Sequence, residues 1–329
     1  ILMNALKRFN PKLSKYHSNV LPMTYKAFGV KDVIKNSRKK NNITLFDVSH
    51  MHYFKVNKKE KKCLERLFPI NLQKLKYNKS ELTVLLNNES WVQDDLIITN
   101  MGDYYRFIIN SESLYLFERL FTEHWIEYEI IKTNILAIQG DGSNALLNGI
   151  NFPTDMKFME NKTFLDYEIT RCGYTGMDGF EIISDNNNMN ILLNEILESN
   201  MKEHIRVGGL MERDILRLEA GFCLSGNEFG THTNVRFNET NLDFIIKKER
   251  RKTGGFVGFE ALNYYSPKKK RIRFTSDKSL LYKHNICDDD NNNIGFITSS
   301  SYSHNINKYR KLRALTALVK WYDIYEKYF

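Results

Sequence analysis

The chain has 329 residues, 42% of them hydrophobic and 26% charged, which is enough for a sizeable core and more than one domain. No apolar run approaches the roughly 18 residues of a bilayer-spanning helix, and Cys63, Cys172, Cys223 and Cys287 stand too far apart for a zinc ribbon or a thioredoxin-type pair. A formal net charge of +9 and a pI near 9.1 favour anionic partners, whether nucleic acid, an acidic protein or a polyanionic small molecule. In chain order, Ile1–Lys15 is basic and free of acidic residues, which fits either the remnant of an organelle-targeting segment or a solvated terminus. Tyr53–Val56 alternates with strand period, and Lys61–Phe68 places Cys63, Leu64, Leu67 and Phe68 on one helical face. Leu82–Leu86, Leu96–Thr99 and Tyr104–Ile109 read as strands, Ser113–Trp125 as an amphipathic helix with Ser111 as its N-cap, and Ile130–Ile138 as one returning strand. That order predicts a split α+β sandwich. Met189–Leu197 and Leu210–Glu219 are helical, the second stopped by Gly221, and after about Asn241 short strands suit a small β-barrel. Lys35–Asn42, Asp185–Asn188 and Asp288–Asn293 are polar islands that read as surface loops.

Several side chains could carry chemistry. Asp94 and Asp95 are adjacent on a strand, so only one of them can face a given pocket; the pair reads either as a functional carboxylate or as a solvated pair at a strand start. Glu181 follows the glycine-rich stretch Gly173–Gly179, whose glycines permit positive φ and close approach of a flat ring. Its carboxylate could accept a two-point fork from adjacent N–H donors, or it could be an exposed strand residue. Arg213 and Arg217 share a helical face, and Arg217 reads as an intrahelical ion-pair partner. Asp47, Ser49, His50 and His52 lack a second set of ligands, so no metal is expected there. The basic runs Lys58–Lys62, Lys247–Lys252 and Lys268–Arg273 have no interleaved aromatic motif, which argues against nucleic acid and leaves a solvated face or the docking of an acidic partner.

Five segments, in order, resemble the aminomethyltransferase (T-protein) family of the glycine cleavage system. They are Leu45–Met51 (LFDVSHM), Asp94–Asn100 (DDLIITN), Arg171–Ile182 (RCGYTGMDGFEI), Arg213–Gly226 (RDILRLEAGFCLSG) and Phe256–Leu262 (FVGFEAL) with Ile294–Ser299 (IGFITS) behind it. The resemblance implies an α+β, three-domain cloverleaf with folate at its centre. Residues 1–50 with 135–240 would form a discontinuous folate-binding core, 51–134 a ferredoxin-like split α+β domain, and 241–329 a C-terminal small β-barrel whose closing strands read as abbreviated. It also implies Asp95 as the catalytic carboxylate, and Glu181, Arg213 and Asn110 as substrate-binding residues. Tetrahydrofolate would be the co-substrate without a metal, the partner a lipoylated carrier protein (H-protein), the place the mitochondrion, and neither nucleic acid nor membrane would be involved. The turn Asp47–His50 would be structural, and Lys247–Lys252 would lie near the folate tail.

Two departures stand out: the stretch between Tyr16 and Pro22 is shorter than the family's, and a glycine pair is replaced. Ser90 and Trp91 occupy positions where the family has two glycines, which bears on the placement of Asp95 and raises the alternative of a folate binder without turnover. A C-terminal aromatic contact has Tyr322, Tyr325 and Tyr328 as candidates. A second alternative, a folate-binding assembly factor for iron–sulfur proteins, shares the fold but carries a KGCYxGQE-type motif where this chain has Arg171–Glu181.

Overall fold

The computed structural model describes residues 4–16, 18–276, 280–303 and 313–320. A 3-10 helix (Asn4–Phe9) leads into β1 (Pro11–Tyr16), β2 (Asn19–Tyr25), α1 (Val30–Asn36), β3 (Ile43–Asp47) and β4 (His52–Asn57). Next come α2 (Lys61–Leu67), β5 (Ser80–Leu86), β6 (Val92–Asn100), β7 (Tyr104–Ile109), α3 (Leu114–Glu123), β8 (Tyr128–Ile131) and β9 (Asn134–Gln139). They are followed by α4 (Ser143–Gly149), β10 (Asn161–Phe164), β11 (Tyr167–Thr170), β12 (Gly179–Ser184), α5 (Asn186–Glu198), β13 (Ile205–Gly208) and α6 (Leu210–Ala220). The last elements are α7 (Lys248–Thr253), α8 (Phe259–Tyr264), β14 (Lys269–Ser276), β15 (Asn285–Cys287), β16 (Asn293–Tyr302) and β17 (Arg313–Lys320). The described residues fall into two compact units. The first draws on Ile1–Asn57, Leu75–Glu81 and Ile98–Ala220, the second on Lys58–Lys74, Leu82–Ile97 and Gly221–Phe329.

A six-stranded sheet of order β10-β11-β12-β9-β3-β13 organises the first unit. Its strands are antiparallel, except that β13 runs parallel to β3. Side chains alternate across it. Leu45, Leu136, Ile138, Phe180 and Ile182 enter one core with Met189, Leu192, Leu193 and Ile196 of α5. Asp185 caps α5 by accepting from the amides of Asn187 and Asn188. On the opposite face Phe46, Ile135, Ala137 and Ile183 pack with Tyr53, Ile108, and Ile215 and Leu216 of α6. A five-stranded sheet of order β5-β6-β7-β4-β8 carries an aromatic cluster of Phe54, Phe107, Phe117, Phe121 and Tyr128, where α3 packs. The second unit has its own core around Val84, Val92, Phe229, Val235, Phe237 and Phe256.

Four expectations change. The run Ile130–Ile138 is two strands in two sheets: β8 pairs with β4, while β9 lies between β12 and β3. Ser111 is no N-cap, because Ser111–Ser113 forms a 3-10 turn headed by Asn110 and neither α3 nor that turn has a side-chain cap bond. The basic N-terminal stretch is folded where it is described, with Leu6 in the main core and β1 paired with β2, so that part is not a frayed end. Beyond Asn241 the chain first forms α7 and α8, and the strands after them make an open four-stranded sheet of order β14-β17-β16-β15; no closed barrel is present among the described residues.

Candidate functional site

Glu181 is the third residue of β12, directly opposite Ala137 of β9 and Thr170 of β11. It therefore shares the face of Ile135, Ala137 and Ile183, away from the α5 core. The buried Cys172 thiol lies beside its carboxylate. Burial, and then the Glu181 charge, push that thiol well above its ordinary range, so Cys172 stays protonated and can donate. The glycine-rich stretch before β12 is anchored on Gln139, which donates to the Cys172 carbonyl at 3.0 Å and accepts from Thr175 Oγ1 at 3.1 Å. A side chain at Gly173 would collide with Gln139, and Gly176, at φ +77°, sits against Ala220. At these two glycines the protein's own packing leaves no room for a side chain. Arg171 closes the turn by donating a fork to Asp178 at 3.0 and 2.5 Å and a further bond to the Met156 carbonyl. That fork holds the Asp178 carboxyl below its usual range.

Arg213, on α6, places its guanidinium 4.5 Å from the ring centroid of Tyr174. Tyr16 lies in the same neighbourhood. Burial, and then Glu112, raise its phenol above the usual value, while Arg213 and Arg217 act the other way. Tyr16 also meets His50 edge-on at 6.1 Å. Arg217 is fully buried and pairs with Asp214 at 2.8 Å, as expected of an intrahelical partner. The Asp47–His50 segment is a turn. Asp47 Oδ1 accepts from the Ser49 amide, and Ser49 Oγ accepts from the Ile135 amide, both at 3.0 Å. Among the described residues no group of three or more His, Cys, Asp or Glu side chains is placed to hold a metal ion.

Asn110 follows β7 directly, two residues beyond Ile108 of the shared core. The same strand holds a residue that the sequence reading missed. Arg106 is 1% exposed. It donates to Glu168 Oε2 at 2.5 Å, Thr170 Oγ1 at 2.8 Å and Thr99 Oγ1 at 2.9 Å. Tyr53 and Tyr104 donate to the other oxygen of Glu168 at 3.0 and 3.3 Å. Burial, and then Glu168, raise the Tyr53 phenol, so it remains a donor. The only sequence signal for Arg106 was a cation inside the apolar run Tyr104–Ile109.

Asp95 belongs to the second unit. Along β6 burial alternates: Val92, Asp94, Leu96 and Ile98 are buried, whereas Gln93, Asp95 and Ile97 are half-buried. The two aspartates therefore have different environments, with Asp94 fully enclosed and Asp95 open on one side. Ser90 adopts φ +60°, so a residue with a β-carbon occupies a left-handed turn position suited to glycine. Trp91 lies against Arg236, whose guanidinium is 6.0 Å from its ring. The basic run Lys247–Lys252 is divided. Arg250 donates to the carbonyls of Gly254 and Glu65, and Arg251 to those of Ile246 and Asp243, while Lys247, Lys248 and Lys252 are exposed. In the third basic run Arg271 is buried and binds the carbonyls of Thr240 and Gly221. Arg250, Arg251 and Arg271 are thus held by backbone carbonyls. Tyr322, Tyr325 and Tyr328 lie outside the described residues.

Comparison with known proteins agrees with this arrangement. The family described as the GCVT N-terminal domain matches residues 5–250. The mitochondrial aminomethyltransferase of Dictyostelium discoideum is 31% identical over 276 residues, covering 77% of this chain and 67% of that protein. The aminomethyltransferase of Thermoanaerobacter pseudethanolicus is 28% identical over 327 residues, covering 93% and 86%. The crystal structure of glycine cleavage system aminomethyltransferase T from Bartonella henselae superposes with a TM-score of 0.87 at 25% identity, covering 96% of this chain and 88% of that one. The match over most of the chain, in sequence and in fold, places this protein in the aminomethyltransferase (T-protein) family of the glycine cleavage system.

Proposed function

We propose that this chain is the folate-dependent aminomethyltransferase of the glycine cleavage system. It takes the one-carbon unit of an aminomethyl group carried on the dihydrolipoyl arm of the H-protein, passes it to tetrahydrofolate and releases ammonia. The observation that carries this reading is the construction of Arg171–Ile182: a braced turn delivers Glu181 onto the polar face of the six-stranded sheet, opposite Thr170. A half-exposed carboxylate held in this way suits the adjacent N–H donors of a pterin, each charge-assisted hydrogen bond contributing about 1.5–3 kcal/mol.

Asn110 and Arg213 are the further folate contacts in this reading. Arg213 is oriented by its stacking on Tyr174 and offers a planar donor fork. Asp95 is the catalytic carboxylate. On the half-buried side of β6 it can orient a ring amine and favour the positive charge that develops as that amine attacks. The exposed Lys247, Lys248 and Lys252 suit an acidic carrier protein. The domain reading, with residues 1–50 and 135–240 around the folate, 51–134 as a split α+β domain and 241–329 as the third, belongs to this proposal, as does its closing barrel. So does a mitochondrial location, which rests on relatives such as the Dictyostelium protein and competes with bacterial relatives at similar identity. Fractionation of the source cell checks the location. Calorimetry with tetrahydrofolate tests the site: the wild-type chain binds, and Glu181→Gln binds at least about tenfold more weakly. Equal affinities would remove Glu181 from the site.

A further inference from the structure

Arg106 is a buried cation that the reading above leaves without a task. It projects from β7, four residues before Asn110, and its fork reaches two other strands: Thr99 on β6, and Glu168 and Thr170 on β11. Thr170 passes the bond on to Asn161 of β10 at 2.9 Å, and it stands directly across from Glu181 of β12. The buried Cys172 thiol beside Glu181 also feels the Arg106 charge. The guanidinium thus ties the strand that runs into Asn110 to the strand beside Glu181. The charged and titratable groups around it are Glu168, Glu181, Cys172, Tyr53 and Tyr104.

Stability does not require this arrangement. Replacing a buried ion pair with apolar side chains of similar volume is often neutral or stabilising by about 1–4 kcal/mol. What apolar packing lacks is direction. A planar fork with several fixed acceptors defines the distance and register of the strands it joins. We propose that Arg106 is a positioning residue for folate binding, setting the seat of Glu181 by clamping β7 to β11. This rests on the reading of Glu181 as the pterin-binding carboxylate.

The test is a double-mutant cycle on the affinity of the full chain for tetrahydrofolate, measured by calorimetry on wild type, Arg106→Gln, Glu181→Gln and the double variant. Arg106→Gln alone should weaken binding about tenfold. In the Glu181→Gln background the same change should cost under about twofold, because the group it positions is gone. The KM for the loaded carrier protein should stay unchanged. A wild-type affinity in Arg106→Gln, or the full tenfold factor in both backgrounds, overturns the proposal while leaving the folate site intact. A wild-type affinity in Glu181→Gln overturns the underlying reading and the proposal with it. If Arg106→Gln does not fold, Thr170→Val removes the hydroxyl between Arg106 and Asn161 with little change of shape, and the cycle is run with it to the same outcomes.

Discussion

The two faces of the six-stranded sheet are built from the same strands on opposite principles. The face toward α5 is apolar at its centre, with Leu136, Ile138, Phe180 and Ile182 at or near zero exposure. The other face begins in the same way, with Phe46, Ile135 and Ala137, but toward β11 it admits Glu168, Thr170 and Glu181. Polar groups enclosed in this way persist only when hydrogen-bonded, and here Arg106, Tyr53 and Tyr104 provide the partners of Glu168 and Thr170. One face holds the unit together, and the other spends part of its burial on holding side chains in fixed places. Strand β6 repeats the contrast within two residues, Asp94 enclosed and Asp95 open.

The comparison predicts that a change on the polar side removes activity and spares the fold, and that a change on the apolar side does the reverse. The largest effect is expected at Asp95→Asn: turnover falls by about 10²–10⁴-fold, the range of a lost acid–base group, while the thermal midpoint is unchanged. Steady-state assays beside a melting curve decide it, and near-normal turnover would take Asp95 out of the mechanism. Phe180→Ala, on the apolar face, should destabilise the first unit by about 3–5 kcal/mol. Tetrahydrofolate affinity per folded molecule should survive, as read from urea unfolding and titration at low temperature. If Phe180→Ala abolished binding in a folded protein, the division between the faces would be wrong.

Smaller effects sharpen the picture. Ser90→Gly should stabilise the second unit by about 1 kcal/mol, since it relieves a left-handed β-carbon and removes a buried hydroxyl that has no partner among the described residues. A lower melting temperature in that variant would contradict the assignment of strain. Asp178→Asn probes the brace before Glu181. Because Arg171 holds the Asp178 carboxyl below its ordinary value, the pair stabilises the fold above the ordinary aspartate pKa of about 3.9. That contribution is lost as pH falls through the lowered native value. Wild type and Asp178→Asn should therefore differ in melting temperature at pH 7 and converge as the pH falls through the lowered native value. A difference independent of pH would assign the effect to something other than the ion pair.

Much of this was legible in the chain. The long helices appear where the periodicity puts them, because each buries one continuous face, and Tyr104–Ile109 is a strand as read, buried on both faces. Glu181 and Arg213 were accessible through their motifs, and the Arg217–Asp214 pair through helical spacing. The break inside Ile130–Ile138 was not, since an apolar, β-branched run has the same composition whether it crosses one sheet or two. Helices α7, inside the basic run, and α8, just after it, are six residues each, too short for a helical period to register. Arg106 was invisible because its partner, Glu168, is 62 residues away in the chain. Only the pairing of β11 with β12 shows that this contact adjoins Glu181.

The most direct test of the account supplies the purified chain with aminomethyl-loaded lipoyl carrier protein and follows ammonia release with and without tetrahydrofolate. The account predicts release that depends on tetrahydrofolate and yields the methylene form of the folate in equal amount. Binding of tetrahydrofolate with no such release, from carrier shown to be loaded, would contradict it and leave a folate-binding protein without turnover.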